Sequence, residues 1–330
     1  MSKLKITMAC APYDRVLALS NGMVVPEGID LNYLPLTVEE VFWRQLMHTE
    51  FDVSESSLSQ YTMLRDRGDD RFIAIPVFPS RFFRHSCIFI NTHKGIREPQ
   101  DFKGKTVGVP EFQMSAAVWM RGAFQDDYGV FPRDISWCSG GEEHPGRVEK
   151  IPMNLPPDVR WEPIPADKTL SGMLDTGEID AMITARMPSC FAKGSPNVAR
   201  FFPNYREVEE DYYRRTGIFP IMHTIILNRR VYEANRWIAM SLYKAFCQAK
   251  EFAYRNCNQT VALHVTLPWV MAEVERTRQV LGEDWWSYGL EKNRHVLETF
   301  LKYHHEQGLS SRRMTIEDLF TPETIDEFKV

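Results

Sequence analysis

The sequence predicts an α/β protein. Short apolar runs alternate along the chain with segments whose apolar residues recur at helical spacing. The runs break at polar turns containing Pro or Gly, such as Ala11-Pro12-Tyr13-Asp14-Arg15 and Cys138-Ser139-Gly140-Gly141. At 330 residues the chain is long enough for two lobes with separate cores.

Lys5 to Cys10 reads as a first strand and Val16 to Leu19 as a helical segment after the Pro turn. Gly28 to Leu36 is a second strand, followed by a helix from Thr37 to His48 with Thr37 and Glu40 as a capping box. Phe51 to Ser57 is a third strand running into a serine-rich turn, and Leu58 to Arg67 is helical. Arg71 to Ile90 supplies two strands, RFIAIPVF and HSCIFI, separated by Pro79 to Arg84, where Arg81, Arg84 and His85 crowd together.

The stretch from Asp101 to Tyr128 organises the middle of the chain. A strand, Thr106 to Val109, breaks at Pro110 and feeds an amphipathic helix whose first turn, around Ser115, offers free backbone N–H groups to an anion. Ile135 to Trp137 begins another strand, which opens into the loop from Cys138 to Arg147. Residues 151 to 165 read as proline-rich and irregular. Asp167 is placed to cap the helix TLSGML, which stops at Gly177 before a strand from Ile179 to Thr184. Gly217 to Asn228 is an apolar strand interrupted by His223. Val231 to Tyr254 reads as one long helix, Leu290 to Glu306 as another, and TIEDLF as a short capped helix from Thr315.

Composition narrows the function. A net charge of -5 gives no basic footprint for nucleic acid, and no apolar run reaches membrane-spanning length. The N-terminal residues carry no apolar core of signal-peptide length, so the expectation is a cytoplasmic protein. Cys10, Cys87, Cys138, Cys190, Cys247 and Cys257 show no CxxC spacing and read as reduced thiols.

The segments DVSESS, DFKGKTVGVPE, WMRGAFQDDYGV, LDTGEIDAMITARMP and GIFPIMH stand in the order of a periplasmic-binding-protein-like type 2 fold, which has two α/β lobes joined by crossing strands. With GLEKNRHVLETF and HHEQGLSSR near the C-terminal end, the chain resembles the 4,5-dihydroxyphthalate decarboxylase family over nearly its whole length. That resemblance implies a ligand cleft between lobes, with residues 1-92 and 216-330 in lobe 1 and 93-215 in lobe 2. It also implies a homo-oligomeric cytoplasmic carboxy-lyase of phthalate degradation that takes a small aromatic acid and uses no organic cofactor, while charge and hydropathy alone leave no nucleic acid or membrane partner. The alternative is a solute-binding or sensor protein for a small organic acid on the same fold.

Decarboxylating an arene needs a base near a phenol, an acid near the ring carbon and a cation for the retained carboxylate. His223 is the first candidate for proton transfer, because imidazole titrates near working pH, with His85 and His144 behind it. The competing reading of His223 is a hydrogen-bonded core histidine. Arg15, Arg81, Arg84 and Arg186 follow predicted strands and suit a planar carboxylate, against the competing reading of surface ion pairs. Ser56 and Ser115 are candidate hydroxyl donors at strand-to-helix turns, where serine also serves as a cap. Glu55 and Glu142 read as loop carboxylates. No linear spacing points to a metal, although Glu55 or Glu142 joining His85, His144 or His223 from different loops forms a second, metal-ligating reading.

Overall fold

The computed structural model describes residues 2–325. Its strands are β1 (Leu4–Cys10), β2 (Ile29–Pro35), β3 (Val53–Ser57), β4 (Phe72–Arg81), β5 (Ile88–Asn91), β6 (Thr106–Val109), β7 (Ser136–Ser139), β8 (Arg160–Pro163), β9 (Ala181–Ile183), β10 (Val198–Arg200) and β11 (Ile221–Asn228). The chain divides into two compact units. One takes the residues up to Arg81, Ile221–Leu297 and the segment from Thr315 onward; the other takes Phe82–Pro220 and Glu298–Met314. These limits differ from those read in the sequence. The first crossing falls before Phe82 instead of at residue 93, the return falls after Pro220 instead of at 216, and Glu298–Met314 groups with the second unit.

The first unit is built on a five-stranded sheet in the order β2-β1-β3-β11-β4. Strands β1, β2 and β3 are parallel, and β11 runs antiparallel to both β3 and β4. β4 is almost entirely buried yet contains Pro76 and Pro79, which a sheet tolerates because β4 lies at its edge. The helix Ile238–Cys257 lays an apolar stripe that includes Leu242, Phe246, Ala249 and Ala253 into this core. The single long helix expected from Val231 is instead two, Arg229–Ala234 and Ile238–Cys257. Asn235 ends the first by donating its amide to the Val231 carbonyl, in competition with the helical ladder.

The second unit holds a six-stranded sheet in the order β10-β5-β9-β6-β7-β8. Strands β6 to β9 run parallel, so the carboxyl ends of β6, β7 and β9 share one sheet edge. The helix Ser115–Tyr128 buries most of its length, and Gly122 lets it approach Tyr303 so closely that a Cβ would lie 2.1 Å from the ring. β8 lies within the stretch read as irregular; it is an edge strand, with Pro163 at its end.

Two expected caps differ. Thr37 makes no side-chain cap, and the Glu40 carboxylate pairs with Arg44 at 2.7 Å instead of reaching back to Thr37. The cap of Leu170–Thr176 is Thr169, whose hydroxyl accepts the Gly172 N–H, and not Asp167. Thr315 does cap the last short helix. Among the described residues, no helix is long and apolar enough to cross a membrane.

Candidate active site

In the first unit the parallel strands end, and β11 begins, along one edge. Glu55 and Ser57 lie on the same face of β3 by strand alternation, and β11 pairs Ile225 with Glu55 and His223 with Ser57. His223 and Glu55 are therefore diagonal neighbours on one face, within reach of long side chains. The register between β11 and β4 shifts on both sides of His223, and such a bulge turns a side chain out of its ladder position.

His223 Nδ1 lies 2.6 Å from Glu55 Oε1. The glutamate is fully buried and the histidine side chain is 16% exposed. Burial alone would raise the Glu55 pKa. The His223 charge and hydrogen bond, the Ala11 N–H and the Tyr13 hydroxyl outweigh it and hold the carboxyl below its ordinary value. A carboxylate only accepts, so Nδ1 carries the proton and Nε2 is the nitrogen that can take up or deliver one. Phe42 packs against the imidazole in a T-shaped contact, 5.0 Å between ring centroids. The Cys10 thiol, 3.4 Å from Glu55 Oε2, and the Ala11 N–H, at 3.1 Å, satisfy the other carboxylate oxygen. Burial first, and then the Glu55 charge, push the Cys10 pKa up, so this thiol stays protonated.

Arg15 lies beside this pair. Its guanidinium sits 4.2 Å from the centroid of the Tyr13 ring and 4.0 Å from that of the Trp286 ring, while Nε–H donates to the Pro79 carbonyl at 2.6 Å and Nη1 to Asp14 at 3.0 Å. A guanidinium held against two rings and by two hydrogen bonds is preorganised for a planar anion. Arg81 is buried, donating to the Ser287 carbonyl and to Asn293 Oδ1. It braces the Ser287–Asn293 turn. Ser56 is half-buried, with its hydroxyl 3.5 Å from the Ser57 carbonyl, and it falls on the other face of β3 from Glu55.

The second unit gathers its own polar groups at the carboxyl ends of β6, β7 and β9. Glu142, beyond β7, accepts the Thr184 hydroxyl at 2.6 Å, and burial raises its pKa. Thr184 Oγ1 also accepts the Arg186 N–H at 3.2 Å, which shapes the loop carrying the exposed Arg186 side chain. Gly141 has no room for a side chain, since a Cβ would lie 1.6 Å from the His144 carbonyl oxygen; His144 itself is exposed. Arg84 is buried, donating to the Ala185 carbonyl at 3.2 Å.

Ser115 is the buried first residue of its helix, but the donors of the preceding turn are met by the chain itself. Glu149 accepts the Phe112 N–H at 2.5 Å and the Gln113 side-chain amide at 2.7 Å. Glu111 in that turn is held by Arg147, at 2.6 Å, and by Lys150. His85 is 2% exposed between Phe202 and Tyr212, and burial lowers its pKa to about 4. Its ring packs against these two aromatic rings.

Among the described residues no three His, Cys, Asp or Glu side chains gather where they could ligate one ion; His85, His144, His223 and Glu142 form no such group. The contribution of Tyr13 and Cys10 was not read from the sequence. The available signal was Glu55 itself, a carboxylate in the short strand VSESS, which requires partners when buried.

Two α/β units with mixed sheets give the fold of the periplasmic binding proteins. The chain is similar to the periplasmic aliphatic sulphonate binding protein SsuA from Escherichia coli, with a TM-score of 0.55 and 14% identity over 98% of this chain and 99% of that one. It is also similar to the alkanesulfonate-binding protein SsuA from Xanthomonas axonopodis pv. citri, with a TM-score of 0.52 and 11% identity over 97% of this chain and 98% of that one. No protein-family model matches the sequence. Sequence relatives narrow the assignment. The chain is 40% identical to the 4,5-dihydroxyphthalate decarboxylase of Comamonas testosteroni over 330 residues, 100% of both chains. It is 42% identical over 214 residues to that of Pseudomonas putida, covering 65% of this chain and 83% of the relative. The chain belongs to the 4,5-dihydroxyphthalate decarboxylase family, which are carboxy-lyases.

Proposed function

We propose that this protein decarboxylates 4,5-dihydroxyphthalate, or a close dihydroxylated aromatic diacid, to 3,4-dihydroxybenzoate and carbon dioxide, with acid–base chemistry supplied by its own side chains and no organic cofactor. Family membership supports the reaction class, and the His223–Glu55 pair is the observation that carries the mechanism.

Breaking the aryl–carboxylate bond directly would leave an unstabilised aryl anion. The hydroxyl para to the departing carboxylate instead gives up its proton and pushes electrons into the ring, while the ring carbon bearing that carboxylate takes a proton. The carbon–carbon bond then breaks, its electron pair restores the ring, carbon dioxide leaves and the phenolate regains a proton. One C–H bond replaces one C–C bond. His223 Nε2 is assigned the proton delivered to carbon, and Glu55 steadies the imidazolium form between transfers. Arg15, beside that pair, is assigned the retained carboxylate. The departing carboxylate is left unclamped, because binding it equally in ground and transition states gains no turnover.

The same reading makes the protein a cytoplasmic homo-oligomer. Incubation with 4,5-dihydroxyphthalate should release carbon dioxide and 3,4-dihydroxybenzoate in equal amounts. Reversible binding without turnover would favour a solute-binding or sensor protein instead.

A further inference from the structure

Tyr13 touches both halves of the proposed chemistry. It follows β1 in the Ala11-Pro12-Tyr13 turn, its N–H donating to the Ala11 carbonyl at 2.9 Å, and it caps the helix Asp14–Ser20 from an extended backbone (φ -76°, ψ 153°). Its hydroxyl donates to Glu55 Oε1 at 2.7 Å, the same oxygen that faces His223 Nδ1. Its ring lies 4.2 Å from the Arg15 guanidinium, which also lies 4.0 Å from the Trp286 ring. Trp286 is pinned in turn by its indole N–H donating to the Phe78 carbonyl at 2.9 Å.

We propose that Tyr13 is a positioning residue that couples proton transfer to carboxylate binding, its hydroxyl setting the hydrogen bond of the His223–Glu55 pair and its ring holding Arg15. The inference rests on the decarboxylase reading and deepens it. The titratable and charged groups around the pair are Cys10 from β1, Tyr33 from β2, Glu55 from β3, His223 from β11, and Tyr13 with Arg15 from the turn and helix after β1. Burial, with the Glu55 charge behind it, raises the Tyr13 pKa, so the phenol remains a donor. A second donor on Oε1 drains charge from the oxygen that His223 uses; removing it leaves a more basic acceptor and a tighter imidazole hydrogen bond.

Tyr13→Phe keeps the ring and removes the hydroxyl, whereas Tyr13→Leu removes both. In substrate-free protein labelled with 15N-histidine, the low-field Nδ1–H resonance of His223, assigned by its loss in His223→Ala, should move further downfield in Tyr13→Phe. With 4,5-dihydroxyphthalate, Tyr13→Phe should lose about tenfold in kcat with KM within about twofold of the parent, and Tyr13→Leu should add a rise of about tenfold in KM. An unmoved resonance in Tyr13→Phe, or a Tyr13→Leu KM equal to that of Tyr13→Phe, overturns the proposal. If Tyr13→Leu does not fold, Tyr13→Met replaces it under the same criterion. A parent protein that fails to turn over 4,5-dihydroxyphthalate sinks the decarboxylase reading alone, and the resonance then decides the Tyr13 assignment.

Discussion

Glu55 does not face His223 across the sheet. It lies opposite Ile225, and the histidine reaches it on the diagonal at 2.6 Å from a position flanked by register shifts against β4. The pair therefore depends on strand register, and a one-residue slip would carry the imidazole to the other face.

Replacing Glu55 with Gln removes the charge while keeping the shape. Turnover should fall about 10- to 100-fold, because the amide no longer stabilises an imidazolium, while KM changes little. Stability should respond to pH with a definite sign. The Glu55 carboxyl titrates lower folded than its ordinary value of 4.5, so its contribution is present above that value and is lost as the pH falls through the folded pKa. Acid titrations of unfolding should show Glu55→Gln less sensitive than the parent below about pH 4.5 and less stable at neutral pH.

Glu209 provides the opposite sign. Burial pushes its pKa to about 7, although the Ser86 N–H donates to it at 3.1 Å. The native state then holds a proton that the unfolded chain has lost, so stability should decline between about pH 4.5 and 7 and level off above. Glu209→Gln should stabilise the protein by on the order of 1–3 kcal/mol at pH 8 and by little at pH 4. Denaturant midpoints at the two pH values would check this.

Arg15→Ala should raise KM about 10- to 100-fold with a smaller loss at saturating substrate, and Arg15→Lys should restore little, since an ammonium cannot stack flat between Tyr13 and Trp286 while presenting a fork. Steady-state kinetics on the two variants would show whether the split falls on KM as expected.

A chelator should leave activity intact. Loss of activity with EDTA, followed by rescue with a divalent ion, would replace the side-chain acid–base account with a metal-assisted one.

Much of the fold was legible in the sequence because it follows apolar periodicity and Pro or Gly punctuation; β1, β6 and the helix after Pro110 are examples. The differences arise where a side chain competes locally. Asn235 splits a helix and Arg44 takes Glu40 from its capping box. Within the site, His223 was visible as a polar break in an apolar strand. Its partner was not, because Glu55 looked like a loop carboxylate and the contact joins residues 168 apart in sequence. Arg81 and His85 looked like ligand groups, since a sequence shows their charge and not the Asn293 amide or the Phe202 and Tyr212 rings that enclose them. The sequence reads the helix turn around Ser115 as open to an anion, and does not show that the fold brings Glu149 onto the Phe112 N–H and the Gln113 amide just before it.

The most direct measurement compares the parent protein with His223→Ala at saturating 4,5-dihydroxyphthalate, following carbon dioxide release beside equilibrium binding of the same substrate. The account predicts turnover lowered about 10²- to 10⁴-fold with binding nearly unchanged. A His223→Ala protein that releases carbon dioxide at the parent rate would contradict it and return His223 to the role of a core histidine.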